Sequence, residues 1–378
     1  MKKDIWILSN ISLKMYGDST RPFFLGRNLN QTFKITQYCN VNKREDKIEY
    51  INLFKETSFS KPFTILKASS EISKELKKKG LPKIIYAHQL LYGLIGILVK
   101  RKYPKVILVS DFHTSSYFEI KEEPKKGIKQ KIKLLIIPFL ENLVVKYSDK
   151  IITVSKETEQ LLINDYPKSK GKINIVKNAT DHQSVFKINV GKPNENKNEK
   201  SEKLPHLAIF PNPRDGFISN DLALDFLLEI ANECLIKKAN IKFIVLGGGK
   251  IPEDYPKNII FTGYVENYNE WLNKADVCIA TYPKKAVCGG VRNKICDYLA
   301  VGKPIVATSE SMRGFDDLIN GIHYYESNTI NDFVNALNSV VEGNNKLMCK
   351  ENLKKSKEYN WCERANELSV VFKSIINV

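Results

Sequence analysis

The chain has 378 residues, of which 43% are hydrophobic and 27% charged; this predicts a globular protein of two domains and excludes collagen-like, coiled-coil and wholly disordered proteins. Its net charge of +17 lies in the first half, because residues 1–200 carry 38 Lys and Arg against 20 Asp and Glu, whereas residues 201–378 carry 21 against 22. A lysine-rich genome explains part of this excess, but its confinement to one half indicates an anionic partner, such as a membrane surface, a lipid phosphate or nucleic acid.

The first half of the chain alternates short apolar strands with helices. Strands are predicted at 5–8, 34–38, 83–87, 106–110, 150–154 and 173–176. Helices are predicted at 22–29, 63–79, 90–100, 129–147 and 156–164. Ser155 is well placed to cap the last of these helices. The alternation predicts a doubly wound parallel sheet.

After a polar stretch at 191–203, which reads as a linker, the alternation begins again. Strands are predicted at 207–210, 242–246, 259–261, 277–280 and 304–307. Helices are predicted at 221–234, 268–274, 291–300, 330–341 and 352–378. We therefore expect an α/β protein with two consecutive sheet domains. Ligands of such sheets bind at the carboxyl ends of the strands, here in a predicted cleft between the domains.

The loop that follows the predicted strand ending at Ala280 is the most specific feature of the sequence. It ends in Gly289 and Gly290, and a helix is predicted to begin at Val291. The free backbone N–H groups of that helix would face the loop, and glycine lets an anion approach them closely. The loop is therefore predicted to bind a diphosphate.

Two basic residues and one acid follow this loop. Arg292 and Lys294 add positive charge, and Asp297, about two turns into the predicted helix, could accept hydrogen bonds from ribose hydroxyls. The run from Asp297 to Thr308 resembles the donor-site signature of GT-B glycosyltransferases, specifically the retaining family 4, or group 1, enzymes. In them an E-x7-E motif leads into a run similar to EAMACGKPVVAT. Asp297 takes the place of the second acid, and Gly289 stands where the first would fall, as in a subgroup with a GGVRNK loop.

Other segments resemble the same family, in the same order along the chain. They are Asp149–Ser155, Ile175–Asp181, Phe210–Leu224, Phe261–Val265, Ala275–Ala280 and Tyr359–Trp361. The resemblance implies a GT-B fold, with two Rossmann-like domains facing across a cleft. Residues 1–190 would bind the acceptor and residues 204–362 the nucleotide-sugar donor, and a C-terminal helix at about 363–378 would pack back on the first domain.

The resemblance also implies a reaction and the residues that carry it. A sugar would pass from a nucleotide-diphosphate donor to a glycan or lipid-linked acceptor hydroxyl with retention, and no metal or other cofactor is expected. The residues expected to act in catalysis are His113, Arg214 and Lys294. Those expected to bind the donor are Gly263, Tyr264, Gly289, Gly290, Val291, Arg292 and Asp297. Those expected on the acceptor side are Gly17, Asp18 and Asp111, whereas His88 is interpreted as structural.

A basic stretch at 121–133 precedes an apolar run, and this pattern predicts either a solvated helix face or contact with an anionic leaflet that carries a lipid-linked acceptor. No apolar run is long enough to span a membrane, and the apolar run at the N-terminus is too short for a signal peptide. Seven irregularly spaced cysteines are typical of a reducing compartment. We therefore expect a cytoplasmic protein, peripheral on the inner face of the cell membrane.

The most direct functional prediction is a glycosyltransferase of cell-surface polysaccharide or lipid-linked glycan synthesis. Two alternatives on the same fold remain open: a nucleotide-sugar epimerase, and a non-catalytic partner protein, which the missing first acid of the E-x7-E motif allows. A nucleic-acid-binding protein is suggested by charge alone, but no binding motif with stacking aromatic residues supports it, so no nucleic-acid partner is expected.

Overall fold

The structure is a computed structural model that describes residues 2–10, 20–39, 43–45, 48–52, 62–122, 127–181, 204–214, 216–286, 288, 290–343 and 345–377. Two compact units are present. The first consists of Met1–Ala179, Gly289–Val291 and Trp361–Val378, and the second of Thr180–Cys288 and Arg292–Asn360. The second unit thus begins at Thr180, whereas the N-terminal domain was predicted to end at residue 190. The predicted linker, 191–203, lies outside the described residues.

The first unit is built on an eight-stranded sheet. Its strands are β1 (Asp4–Leu8), β2 (Lys34–Cys39), β3 (Lys43–Glu45), β4 (Ile48–Asn52), β5 (Ile84–His88), β6 (Ile107–Phe112), β7 (Lys150–Thr153) and β8 (Ile173–Ile175). They lie in the order β3-β4-β2-β1-β5-β6-β7-β8. Every pairing is parallel except that of β3 with β4, and these two short strands were not predicted.

Helices connect the strands of this unit. They are α1 (Thr20–Leu29), α2 (Pro62–Lys79), α3 (Gln89–Lys102), α4 (Ser116–Glu122), α5 (Ile128–Tyr147) and α6 (Lys156–Asp165). Each predicted helix is present with its ends shifted by one or two residues, and α4 is an addition. Ser155 caps α6 as predicted, accepting a hydrogen bond from the backbone N–H of Thr158 at 3.1 Å. No helix in the described part of the chain is long and apolar enough to cross a bilayer.

The second unit is built on a six-stranded parallel sheet in the order β11-β10-β9-β12-β13-β14. Its strands are β9 (His206–Pro211), β10 (Ile241–Leu246), β11 (Ile259–Gly263), β12 (Val277–Ala280), β13 (Ile305–Ala307) and β14 (Tyr325–Glu326). Its helices are α7 (Ile218–Ile236), α8 (Tyr268–Lys274), α9 (Lys294–Val301), α10 (Ile330–Glu342) and α11 (Lys346–Ser356). The predicted α/β class with two parallel-sheet units is confirmed.

The last helix, α12 (Trp361–Ile376), belongs to the first unit. Trp361 stacks on Phe24 of α1 at 5.9 Å, and Phe372 packs edge-on against Tyr86 at 5.3 Å. The C-terminal helix therefore packs on the first unit, as the resemblance implied.

The prediction of one helix over 352–378 is wrong, because α11 ends at Ser356 and α12 begins at Trp361. The backbone between them has another partner: the N–H of Thr180 donates to the carbonyl of Tyr359 at 3.0 Å. The Tyr359 hydroxyl also donates to Asp317 at 2.6 Å. These bonds, made to residues distant in sequence, hold the chain out of helical geometry.

Candidate functional site

Polar side chains gather in the first unit at the carboxyl ends of β5 and β6. His88 is the last residue of β5, Asp111 lies in β6, and His113 directly follows β6. His88 and Asp111 are partners in the parallel register, so the sheet itself brings them together. All three side chains are buried. Parallel α/β sheets bind ligands at this edge, which makes the cluster a candidate ligand-binding site of the first unit.

Asp111 is the anionic centre of this cluster. Arg21 of α1 donates from Nε to Oδ2 of Asp111 at 3.0 Å, and the Tyr86 hydroxyl donates to the same oxygen. Burial alone would raise the pKa of Asp111, but the Arg21 guanidinium, His113 and the hydrogen bond from Tyr86 together outweigh burial and lower it. Asp111, predicted on the acceptor side, is therefore an ionised, enclosed carboxylate that holds its neighbours in place.

The two histidines are hydrogen-bonded to each other, with His88 Nδ1 and His113 Nε2 2.9 Å apart. Burial lowers the pKa of His88 well below its ordinary value, so this ring is neutral near pH 7 and carries one proton. Nε2 of His88 has no hydrogen-bond partner among the described residues. A proton on Nδ1, donated to His113, satisfies the neutral ring best. His88 thereby fixes the orientation of the His113 ring.

The same cluster is the place where the described residues could hold a metal ion. His88, Asp111 and His113 each offer one donor atom, all within 4.8 Å of one another. Two imidazoles and a carboxylate suit divalent transition metals. However, a cation here would share Asp111 with the guanidinium of Arg21, which already supplies the positive charge. The cluster is better suited to hydrogen-bonding a sugar hydroxyl, and the absence of a metal requirement stays a prediction.

In the second unit, Arg214 lies just beyond the carboxyl end of β9. Its side chain is 7% exposed, donates from Nη2 to the carbonyl of Gly247 at 2.9 Å, and lies 4.8 Å from the Phe261 ring centre. Its Nε and Nη1 atoms have no hydrogen-bond partner among the described residues. Burial lowers the pKa of Arg214, so the cation is held at an energetic cost that a bound anion would relieve.

The glycine loop after β10 shapes this position. The N–H of Arg214 donates to the carbonyl of Gly248 at 2.8 Å. Gly249 has a φ of +118°, and a Cβ there would lie 1.9 Å from the carbonyl oxygen of Arg214. Only glycine fits so close an approach, so the three glycines at 247–249 set the backbone on which Arg214 is presented.

Lys294 is the first residue of α9 and reaches the same end of β9. Its ammonium donates to the carbonyl of Pro211 and to the Tyr282 hydroxyl, both at 2.5 Å, and lies 4.7 Å from the ring centres of Phe210 and Tyr282. Burial lowers the pKa of Lys294 well below its ordinary value. The structure thus brings Lys294 and Arg214 to one strand end. Neither residue is an exposed cation, because backbone and aromatic groups surround both side chains.

Arg292 is buried and bound within the second unit. Its Nη2 donates to Ser219 Oγ at 2.7 Å and to the carbonyl of Ala286 at 2.6 Å, and its guanidinium carbon lies 3.7 Å from the Tyr282 ring centre. These contacts tie the two ends of the loop at 286–292 together. The Arg292 guanidinium is therefore engaged by groups of the second unit itself.

The predicted start of the next helix is wrong: α9 begins at Lys294 rather than at Val291. Gly290 and Val291 group with the first unit, and a Cβ at Gly290 would lie 2.3 Å from the His113 carbonyl oxygen, so this position needs a glycine. The chain becomes helical only after this contact and the anchored Arg292 side chain. Gly289 itself, like Gly17 and Asp18, lies outside the described residues.

Asp297 lies in the first turn of α9, not two turns into it. The Thr180 hydroxyl donates to Oδ1 at 2.7 Å, and the Tyr268 hydroxyl donates to Oδ2 at 3.4 Å. Burial raises the pKa of Asp297 to about 6 in spite of these bonds. Both carboxylate oxygens are therefore already engaged, and each has capacity for one more donor.

Gly263 and Tyr264, the predicted lining of the base pocket, follow β11. Gly263 has a φ of +69°, and its carbonyl accepts a hydrogen bond from the N–H of Gly247 at 2.9 Å. This bond joins the end of β11 to the glycine loop that presents Arg214. The Tyr264 side chain is 51% exposed, so it offers an open aromatic surface beside that loop.

The site residues predicted from the sequence do not include Arg21, Tyr86 and Tyr282. Tyr86 and Tyr282 carried a usable signal, since each lies at the carboxyl end of a predicted strand, where a hydroxyl can reach a ligand-binding edge. Arg21 carried none, because its partner Asp111 is 90 residues away in sequence.

Two models of known protein families match the chain, one in each half. The family model described as "Glycosyltransferase Family 4" matches residues 36–184, and the one described as "Glycosyl transferases group 1" matches residues 216–343. The first match contains the histidine cluster, and the second contains the loop from β12 to α9. A search of curated protein sequences found no significant match.

Solved structures share the fold over nearly the whole chain. A sucrose-phosphate synthase from Thermosynechococcus elongatus has a TM-score of 0.76 at 13% identity over 100% of both chains. A glycosyltransferase from Rickettsia africae has a TM-score of 0.73 at 14% identity over 99% of both chains. The Anabaena protein HepE, solved with UDP and glucose, has a TM-score of 0.66 at 12% identity over 98% of this chain and 100% of its own. At these identities the likeness shows the GT-B fold, and with the two family models it identifies the chain as a glycosyltransferase carrying family 4 and group 1 domains.

Proposed function

We propose that the chain transfers a sugar from a nucleoside-diphosphate-sugar donor to an acceptor hydroxyl, with retention at the anomeric carbon and without a metal ion. Its donor loop would place it in the subgroup defined by GGVRNK. Its role would lie in cell-surface polysaccharide or lipid-linked glycan synthesis at the inner face of the cell membrane.

Arg214 is the observation that carries this proposal. The buried guanidinium has two nitrogens, Nε and Nη1, that have no hydrogen-bond partner among the described residues. A diphosphate could bind both, because its oxygens accept charge-assisted hydrogen bonds. Lys294 adds a second cation at the same end of β9. When the bond between the anomeric carbon and the leaving phosphate oxygen breaks, negative charge grows on that oxygen. Cations fixed beforehand by the fold stabilise this charge without reorganising.

The first unit would supply the polar groups for the sugar. His113 is held by neutral His88, which in turn lies 3.7 Å from the carboxylate of Asp111. With Nε2 bonded to His88, the atom available for a sugar or acceptor hydroxyl is Nδ1, which lies 3.4 Å from Gln89 Nε2 and would exchange that long contact for the ligand. We assign His113 that role, with His88 and Asp111 as positioning residues.

The ligands of similar structures support the proposed classes of donor and acceptor. HepE was solved with UDP and glucose, and WaaG, with a TM-score of 0.70, is described as a glycosyltransferase of lipopolysaccharide biosynthesis. These descriptions favour a nucleotide-sugar donor and a glycan acceptor here, and they leave the sugar and the base open.

The test is a thermal-shift screen of UDP, GDP and ADP and their sugars, followed by assays of nucleotide release. A bound donor stabilises the fold by mass action. Arg214→Gln should weaken nucleotide binding by about tenfold to a hundredfold, as expected for a lost charged bond of roughly 1.5–3 kcal/mol. Lys237→Ala, which removes an ion pair with Glu233 at the end of α7, is the control and should bind as wild type.

Two outcomes would contradict the proposal. If no nucleotide or nucleotide sugar stabilises the wild-type protein, a non-catalytic partner protein becomes the better reading. If a nucleotide sugar is isomerised and no nucleotide is released, the chain is an epimerase. The anomeric configuration of the product, measured by NMR, decides retention separately.

A further inference from the structure

The outer face of α5 carries a continuous stripe of large apolar side chains. Ile128 is 80% exposed, Leu135 77%, Phe139 62%, Ile132 50% and Ile136 49%. Their spacing of i, i+4, i+7, i+8 and i+11 places all five on one side of a helix. A contiguous apolar stripe of this kind differs from scattered exposed residues and marks an interaction surface.

The opposite face of α5 is already packed in the first unit. Ile137, Val144 and Val145 belong to the apolar core of that unit, and Glu141 is buried beside them. The helix is therefore apolar on two sides, and only one of them is used by the fold. The core does not explain the outer stripe.

Basic residues border the stripe. Lys129, Lys131 and Lys133 are exposed, and at 100° per residue Lys129 and Lys133 lie on one border and Lys131 on the other. The single acidic residue of α5 is Glu141, which is buried and accepts a hydrogen bond from Tyr166 at 2.7 Å. The exposed surface of α5 thus combines apolar side chains with positive charge and carries no exposed acid of its own.

We propose that this face of α5 docks the chain on an anionic lipid surface, with the apolar stripe among the acyl chains and the lysines at the headgroups. Basic borders around an apolar face are the features of an interfacial helix. A second copy of the chain fits less well, because a twofold contact would bring the lysines of both helices together with no exposed acid of α5 between them.

This surface extends the charge argument made from sequence. The basic stretch at 121–133 was predicted to be either a solvated helix face or a contact with an anionic leaflet, and its Lys125 and Lys126 lie outside the described residues. The apolar stripe adds a component that salt does not screen. The surface would bring the chain to a lipid-linked acceptor, and in that sense its biological role rests on the proposed function.

Co-sedimentation with lipid vesicles tests the proposal without donor or acceptor, so its failure would leave the proposed sugar transfer untouched. The wild-type protein should bind phosphatidylglycerol-containing vesicles more strongly than pure phosphatidylcholine vesicles. Part of the binding should persist at about 1 M salt, where charges are screened beyond about 3 Å. The double variant Leu135→Asp/Phe139→Asp should bind these vesicles at least about tenfold more weakly than the wild type, because it removes two inserted side chains.

The control is Leu347→Asp, which puts a single aspartate at a leucine that is 69% exposed on α11. It should bind vesicles as wild type does. Circular dichroism and thermal unfolding check that the double variant remains folded. Light scattering shows whether the wild type is a dimer that the double variant disrupts, a result that would overturn the lipid proposal in favour of a contact between copies.

A second variant keeps the test independent of the double substitution. Phe139→Trp places an indole in the stripe at little cost to the fold, since residue 139 is exposed. Its emission should shift to the blue with anionic vesicles and be quenched by brominated acyl chains. Unchanged emission, or vesicle binding by Leu135→Asp/Phe139→Asp equal to wild type, would overturn the proposal.

Discussion

Several contacts within the protein hold the Lys294 side chain in place. Its ammonium bonds Pro211 and Tyr282 and lies over two aromatic rings. Lys294→Ala is therefore expected to lower the free energy of unfolding by about 1–3 kcal/mol as well as weaken nucleotide binding. Urea unfolding and nucleotide titration measure the two effects. Lost binding with unchanged stability would show that the internal contacts contribute little.

If Asp297 binds the donor ribose as predicted, donor binding should depend on pH. Burial raises its pKa to about 6, so the carboxylate forms only as the pH rises through that value. If the charged form accepts the ribose hydroxyls, the donor KM should fall as the pH rises through about 6, with a smaller change in kcat. In Asp297→Asn this pH dependence of KM should disappear. A KM profile shared by wild type and variant would remove Asp297 from donor binding.

Glu141 makes the first unit sensitive to pH. Burial raises its pKa from 4.5 to about 7, although Tyr166 and the backbone N–H of Ser116 donate to it. The folded state holds the proton more tightly than the unfolded chain does. Stability from this group is therefore full below about pH 4.5 and is lost as the pH rises through about 7, by roughly 3 kcal/mol.

The variant Glu141→Gln should remove that loss. Urea unfolding at a series of pH values should show the stability difference between variant and wild type shifting in favour of the variant as the pH rises. Parallel pH profiles for the two proteins would mean that Glu141 is ionised throughout the range.

At the scale of the element, one glycine of the family-like run Asp297–Thr308 has a structural role, because Gly302 ends α9. Gly302 caps the helix with a φ of +63°, and a Cβ there would lie 2.4 Å from Cγ of Leu353. Gly302→Ala should destabilise the protein by more than the roughly 1–2 kcal/mol of the left-handed conformation alone, because the methyl group also meets Leu353.

The matched control is Gly321→Ala in the same unit. Gly321 has a φ of +81°, and a Cβ there has no neighbour within 4 Å among the described residues. This variant should show the conformational cost by itself. Urea unfolding that gives equal losses for the two variants would mean that Leu353 moves aside at no cost.

At the scale of the whole molecule, the two units should respond differently to a donor nucleotide. Hydrogen exchange should slow at 211–214, 247–249 and 294–301, where the second unit gathers its cations, and stay unchanged in α2. The groove lined by Val340, Cys349 and Leu353, at the other end of the same sheet, is the internal comparison. Protection centred on that groove would place the nucleotide away from Arg214.

The sequence by itself determined the order and type of most elements, because each strand and helix is marked by a local apolar period. It also identified the loop around Gly290 and the position of His113 directly after a strand, since these follow from the element order. Arg214 was selected from the family resemblance, and Lys294 was predicted only within the helix that follows the loop. The roles assigned to these residues stay predictions. Local patterns were least informative at element ends and in short strands such as β3 and β4.

Only the tertiary structure decided which polar groups are enclosed and what they bind. Arg21 meets Asp111 across 90 residues of sequence, and Thr180 meets Asp297 across 117. The start of α9 at Lys294 likewise follows from where Arg292 and Gly290 are held. Burial, pKa and hydrogen-bond partners depend on neighbours that folding brings together, and no period along the chain encodes them.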